Sequence, residues 1–276
     1  METQQKVKYD YSELTKAMRW QIAEWLAEDR LPEINAKLEA VHPEQNIYSK
    51  YIKRLIDIVV SAIVLVITSP INLVIAIITF IDLGRPIFFT QVRTGKDEKT
   101  FKIIKFRNMT NETDEHGELL PANQRVTKWG KIVRKTSLDE LLNFWSILKG
   151  DMSLIGPRPL PPEYVVRYHA RHKMRLSVKP GLECPPHERI DHVWKWQEQF
   201  DNDVWYVENI SFKTDCLMLI RLVQFTFDKK NAKTRANAKK GIFSGYDWQG
   251  NTINIEEVPY EYIERAFREV PLEKKV

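Results

Sequence analysis

The stretch LIDIVVSAIVLVITSPINLVIAIITFI, residues Leu55 to Ile81, decides how the rest of this chain is organised. Its only charge is Asp57, and as a helix it would run about 40 Å at about 1.5 Å per residue, long enough to enter a bilayer. The mean hydropathy of −0.40 for the whole chain reads as soluble only because it averages this segment with a polar remainder. Ser69-Pro70 and Asn72 fall near the middle, where proline removes a helical hydrogen bond and crowds the preceding turn. Each half is then about a dozen residues, against the about 20 that a straight span needs. The flanks are basic on both sides, with Lys50, Lys53 and Arg54 before and Arg85, Arg93 and Lys96 after. A spanning helix usually carries its cations mainly on the cytoplasmic side. A helix-break-helix hairpin and a kinked span both fit these residues. Residues 1–46 are charged throughout and lack the apolar run of a signal peptide, so the N-terminus is expected in the cytoplasm.

Working outward, 276 residues give one large or two small domains with a sizeable core, which excludes a short peptide module. The composition, 43% hydrophobic and 29% charged with 10 Gly and 14 Pro, is that of a folded protein rather than a disordered or collagenous one. Two cysteines, Cys184 and Cys216, are too few for a disulfide framework and suit a reducing compartment. The net charge of +5 suits a phosphorylated or lipidic partner. Nucleic acid is not expected, because the aromatic residues are scattered rather than interleaved with a basic stripe.

Four regions follow: an N-terminal helical extension over 1–46, the membrane helix over 47–84, a cytoplasmic catalytic domain over 85–228 and a C-terminal extension over 229–276. Residues 11–40 read as one or two amphipathic helices with Leu14, Met18, Ile22 and Leu26 on one stripe. Residues 86–96 and 100–110 read as two short strands of a basic hairpin, turning around Gly95 to Lys99. A polar loop over 111–124 and a helix near Leu138 to Leu148 come next. Two proline clusters, Gly156-PRPLPP and Cys184-Pro-Pro-His187, mark ordered turns. Residues 215–227, apolar but interrupted by Arg221, suit an interfacial or core helix, and the tail 228–240 is lysine-rich. The expected class is mainly α with a small β-hairpin (α+β).

The densest chemistry runs from Arg134 to Pro159, RKTSLDELLNFWSILKGDMSLIGPRP. Asp139 and Glu140 are adjacent near a helix start, so their side chains diverge by about 100° and suit different tasks, one a nucleophile and one a metal ligand. The same residues also spell a capping box, Ser137-x-x-Glu140, and both readings fit. Arg158, between two prolines, sits on a stiff backbone suited to bidentate recognition of phosphate. Lys105, Arg107 and Arg134 fit both further cations for a diphosphate and, taken singly, solvated surface charges. His169-x-x-His172 has metal-binding spacing but no evident third ligand, Cys184 with His187 is weaker, and Gly95-Lys96 lacks the upstream glycine of a phosphate loop.

Taken in order, Lys53-Arg54-x-x-Asp57, Ser69-Pro70, FxQxRxG at Phe89 to Gly95, KFRNM at Lys105 to Met109, SLDEL and LKGDMSLIGPRP resemble the bacterial sugar transferase family. These are small monotopic polyprenyl-phosphate phosphoglycosyl transferases, and the resemblance covers roughly residues 51–221. It implies movement of a phosphosugar from a UDP-sugar to undecaprenyl phosphate, leaving UMP, at the cytoplasmic face of the bacterial inner membrane. It also implies a re-entrant membrane helix broken at Ser69-Pro70, and magnesium as cofactor. Residue by residue it implies Asp139 as the covalent nucleophile, Glu140 as the magnesium ligand, and Lys105, Arg134, Arg158 and Asp203 around the phosphates. After Lys179-Pro-Gly the family usually continues with a Gly-Trp-Ala-Gln-rich segment ending in Asn-Gly-Arg, whereas here LECPPHERIDHVWKW follows. This departure keeps an alternative in view, a catalytically degenerate membrane-bound scaffold. The two extensions lie outside the resemblance and are candidates for homo-oligomerisation or partner docking.

Overall fold

The structure is a computed structural model that describes residues 11–39, 41–113, 119–188, 192, 194–227 and 241–271. The lysine-rich tail 228–240, the centre of the 111–124 loop and part of the departing 182–196 segment lie outside the described residues. Among the described residues the chain is mainly helical with three separate two-stranded sheets, in agreement with the expected class.

Helix α1 (Lys16–Lys37) begins at Thr15, whose hydroxyl accepts from the Met18 amide at 3.2 Å. It is one helix and keeps Pro32 inside it. A π-helical turn (Tyr48–Ile52) leads into α2 (Lys53–Leu83), and together they give 36 continuous helical residues, about 54 Å in length. The helix is not divided at Pro70. Proline leaves the Val66 carbonyl without its amide donor, and the Ser69 hydroxyl takes that carbonyl at 2.8 Å. Thr68 also donates its hydroxyl to the Val64 carbonyl at 2.7 Å, one turn earlier.

Strands β1 (Phe88–Thr94) and β2 (Thr100–Phe106) pair antiparallel over their full length, with Phe89 opposite Lys105. Short helices α3 (Ala122–Arg125), α4 (Lys128–Lys135) and α5 (Asn143–Lys149) follow. Strand β3 (Ser153–Ile155) pairs in parallel with β4 (Gly181–Glu183), and the turn α6 (Ala170–Lys173) lies between them. Helices α7 (Trp196–Glu208) and α8 (Phe212–Phe227) complete the catalytic region, with Phe200, Val204, Tyr206 and Val207 of α7 fully buried.

Both ends of α2 are tied to this region. At its start Arg54 donates to the carbonyls of Ile147 and Leu148 at 2.6 and 2.7 Å, and Asp57 accepts from the Ser153 hydroxyl and the Leu154 amide at 3.0 Å each. At its end Arg107 donates to the carbonyls of Leu83 and Gly84, Thr127 donates to Asp82 at 2.6 Å, and Trp129 donates to Thr79 at 3.3 Å. Arg107, read from the sequence as a cation for the diphosphate, instead caps the last carbonyls of the apolar helix. This is a favourable place for a cation, because those carbonyls have no amide partner. Most of the surface between the two anchors is bare: Ile63, Val66, Ile67, Leu73, Val74 and Ile77 are all exposed.

The extensions set apart by the sequence share one core. Leu14, Met18, Ile22 and Leu26, the stripe read along α1, pack against Ile253 of β6 (Thr252–Asn254) and Ile263 and Ala266 of α9 (Tyr260–Glu269). Strand β5 (Phe243–Tyr246) pairs with β6 and joins this unit to the catalytic region. Arg30 donates to the Tyr246 carbonyl at 2.6 Å, and Phe243 enters an aromatic cluster with Tyr164, Tyr168, Trp196 and Phe200.

Candidate active site

Asp139 and Glu140 lie on a 3-10 turn (Leu138–Glu140) just ahead of α5. The capping box is not formed. Ser137 makes no side-chain capping bond and sits in the left-handed region at φ 55°, a strained conformation for a residue other than glycine. Glu140, which would have reached back to Ser137, turns instead toward two cations. Its Oε1 accepts from Lys105 Nζ at 2.6 Å and from Arg158 at 2.9 Å.

Each partner is placed by the fold. Lys105 comes from β2, the inner strand of the hairpin. Arg158 is held from three directions: proline on either side, Glu183 Oε2 and the Leu182 carbonyl accepting from it at 2.9 and 3.2 Å, and Arg175 donating to its carbonyl at 2.8 Å. The Pro157–Pro159 turn can meet β4 this closely because both facing residues lack a side chain. A Cβ on Gly156 would come within 2.6 Å of the Lys179 carbonyl oxygen, and one on Gly181 within 2.1 Å of the Gly156 nitrogen. A small cavity of about 30 Å³ opens among Arg93, Lys105, Glu140, Asn143 and Arg158.

The two adjacent carboxylates are held in different states. Asp139 is 7% exposed and accepts one hydrogen bond from a neutral donor, Asn108 Nδ2, at 3.2 Å. Burial raises its pKa and Glu140 adds to that, while Lys105 and Arg134 pull against it. Burial would raise Glu140 too, but Arg158 and Lys105 outweigh it and hold Glu140 below the usual carboxylate range. Asp139 therefore has less direct charge neutralisation than Glu140, which suits the two carboxylates to different tasks. Arg134, exposed at the end of α4, acts on Asp139 through its charge rather than through a hydrogen bond.

Lys105, Arg158, Asp139 and Glu140 thus converge, with Arg134 at the edge. Asp203 does not join them. It is fully buried and paired with Arg175 at 2.8 Å, and Arg175 in turn holds the Arg158 carbonyl. A carboxylate at that place fixes Arg175, and through it the backbone of Arg158. Asn108, Arg93 and Glu183 are site residues not singled out in the sequence. The first two stood within the quoted KFRNM and FxQxRxG motifs, and Glu183 carried no signal because its partner is 25 residues away. His169 and His172 are structural: His169 caps α6, and His172 bonds Asp201 and Tyr246. His187 stacks on Trp205 and bonds Asn202, the residue that also holds Cys184.

Among the described residues no three acidic, His or Cys side chains gather as a ready metal site. The donor set nonetheless suits a hard cation. Both cations on Glu140 use Oε1, and Oε2 accepts no hydrogen bond among the described residues. A magnesium ion commonly takes one or two carboxylates and completes its shell with water and substrate phosphates.

A family model described as bacterial sugar transferase matches residues 48–229. A sugar transferase of Bacillus subtilis, EpsL, is 41% identical over 173 residues, 63% of this chain and 86% of that protein. The UDP-glucose:undecaprenyl-phosphate glucose-1-phosphate transferase of Klebsiella pneumoniae is 37% identical over 190 residues, 65% of this chain and 41% of that protein. The UDP-N-acetylgalactosamine-undecaprenyl-phosphate N-acetylgalactosaminephosphotransferase of Aeromonas hydrophila is 32% identical over 182 residues, 63% of this chain and 43% of that protein. The chain thus matches less than half the length of the last two. All the converging residues fall within the matched range, and the chain belongs to the bacterial sugar transferase family.

Proposed function

We propose that this protein moves a phosphosugar from a UDP-sugar to undecaprenyl phosphate in two in-line steps at Asp139. The observation that carries the reading is the division of labour just described: a buried, weakly neutralised Asp139 beside a Glu140 fixed by Lys105 and Arg158. In the first step an Asp139 oxygen attacks the sugar-bearing phosphorus. The bond from that phosphorus to the bridging oxygen breaks, and UMP leaves with that oxygen. In the second step an oxygen of undecaprenyl phosphate attacks the same phosphorus, the bond to Asp139 breaks, and a diphosphate-linked lipid sugar is released with the carboxylate restored.

Lys105, Arg158 and Arg134 neutralise charge on the phosphoryl oxygens, and a fixed cation is most effective where water is excluded. Glu140, through its Oε2, would hold magnesium, which would supply Lewis-acid polarisation of the phosphoryl oxygens. Asp203 and Arg175 are positioning residues for Arg158.

An α2 that enters the membrane and returns to the cytoplasmic face of the inner membrane, through a bend at Pro70 rather than a break in the helix, fits this chemistry, because the donor is water-soluble and the acceptor is a lipid. Its support is that both ends of α2 bond to one catalytic body, with bare apolar surface between them. Helix α8, which exposes Phe212, Leu219, Ile220 and Val223, suits a position in the interface. The second reading, a non-catalytic scaffold, draws on the departing segment after Gly181.

Nucleotide release by the protein in lipid, with a panel of UDP-sugars, undecaprenyl phosphate and magnesium, tests the proposal. Magnesium-dependent UMP that is absent for Asp139→Asn is the expected result. UDP in place of UMP would mean ordinary glycosyl transfer, and no nucleotide from any donor would favour the scaffold.

A further inference from the structure

A second concavity lies at the start of α2, enclosing about 360 Å³ and sharing no lining residue with the Glu140–Arg158 cavity. Its wall carries Lys50, Lys53, Arg54, Lys96 and Lys179 against two carboxylates, Glu44 and Asp57. The local pairing does not balance these charges. Asp57 is engaged by Ser153 and Leu154, and Lys53 is held by Asp215 at 2.6 Å. Arg54 gives its N–H groups to two neutral carbonyls and keeps its charge. Lys50, Lys96 and Lys179 form no ion pair among the described residues. Arg54 and Lys179 also crowd each other: an Arg54 nitrogen and Lys179 Nζ lie 3.1 and 3.5 Å from the point that a Cβ on Gly150 would occupy. Burial, with Arg54 beside it, lowers the Lys179 pKa.

We propose that this cleft is a second phosphate-binding site, separate from Asp139, filled by the phosphate of an anionic lipid headgroup or of a soluble phosphorylated molecule. Three unpaired ammonium groups and a guanidinium around one concavity match a compact anion with several oxygen acceptors. A long polyanion would need an extended groove rather than an enclosed cleft. A lipid headgroup can reach it, because the exposed apolar surface of α2 begins in the same turns, at Leu55 and Ile58. The site is independent of the chemistry at Asp139 and stands whether or not UMP is released there.

The test uses the full chain carrying Arg158→Gln, so that phosphate at the first site does not contribute. Two probes are used: inorganic phosphate, followed by phosphorus NMR line broadening, and phosphatidylcholine vesicles with or without phosphatidylglycerol, followed by flotation. One or both of phosphate and phosphatidylglycerol should bind, and Lys96→Gln with Lys179→Gln should weaken that binding about tenfold or more. Lys179→Arg should retain it. Phosphate alone points to a soluble ligand, and phosphatidylglycerol alone points to lipid. Lys96 is exposed on the hairpin turn, so Lys96→Gln alone keeps the test valid if the double variant does not fold. With Arg158 intact, the double variant in detergent should still match the parent in UMP release. No binding of either probe, or binding untouched by both substitutions, overturns the proposal.

Discussion

Two clusters of arginine and carboxylate sit side by side in this protein, joined through one backbone atom. In the first, Arg158 bonds Glu140 and Glu183, with its own side chain 40% exposed. In the second, Arg175 bonds Asp203 with both side chains 1% exposed, and donates to Tyr168 Oη and to the Arg158 carbonyl. The same chemical groups therefore serve opposite ends. The open cluster can exchange a carboxylate for a phosphate at small cost, because a partly exposed ion pair contributes about 0–1 kcal/mol. The closed cluster cannot exchange partners, because removing one member of a buried pair costs about 3–5 kcal/mol. Burial, not residue type, separates the arginine open to exchange of partners from the one that holds its backbone.

The sharpest way to separate chemistry from scaffolding is Asp139→Asn. Turnover should fall about 10⁴-fold or more, as for other essential nucleophiles. Stability should move the other way. A carboxyl with a raised pKa in the fold favours folding below the ordinary carboxylate range, and that benefit is lost as pH rises through the raised value. At neutral pH the ionised group is a burden, so the amide should raise the melting temperature by a few degrees, about what 1 kcal/mol gives. For wild type, the acid limb of the rate profile should lie above the usual carboxylate range.

Breaking the closed cluster comes next. Asp203→Asn should destabilise the protein by about 3–5 kcal/mol in urea titration, with loss of activity following loss of fold. Arg158→Lys should do the reverse. It keeps one charge but loses the two-pronged grip on Glu140 and Glu183, so catalytic efficiency should drop about 10- to 100-fold with stability changed by under about 1 kcal/mol. If Arg158→Lys unfolds the protein while Asp203→Asn does not, the contrast between the clusters fails.

The smallest effect concerns the seam where the extensions dock. His172 bonds Tyr246 of β5, and His169 stacks on the same ring with centroids 4.3 Å apart. Burial is the main cause that lowers both, His169 to about 3. A lowered pKa gives stability that is present above the unfolded value of about 6.5 and lost as pH falls toward about 3. Melting temperature should therefore decline over that window, and His169→Gln should flatten the decline.

Much of this was legible in the sequence where the signal was local. The apolar run, the hairpin, the α1 stripe and the Asp139-Glu140 pair each declare themselves within a few residues. What the sequence hid depends on distant partners. Asp203 looks like any acidic residue until the fold sets Arg175 against it, and Arg107 looks like a phosphate ligand until the end of α2 arrives beneath it. Ser137 reads as a cap because the motif is short, but Lys105 and Arg158 compete for Glu140 and win. The shared core of α1 and α9 joins segments more than 200 residues apart, which no periodicity can reveal.

The most direct test of the central claim is intact-protein mass spectrometry after incubation with a UDP-sugar and magnesium in the absence of undecaprenyl phosphate. One added phosphosugar per chain is expected, mapped to Asp139, matched by one UMP and discharged when the lipid phosphate is added. A donor that turns over when lipid is supplied yet leaves no adduct on Asp139 would contradict it.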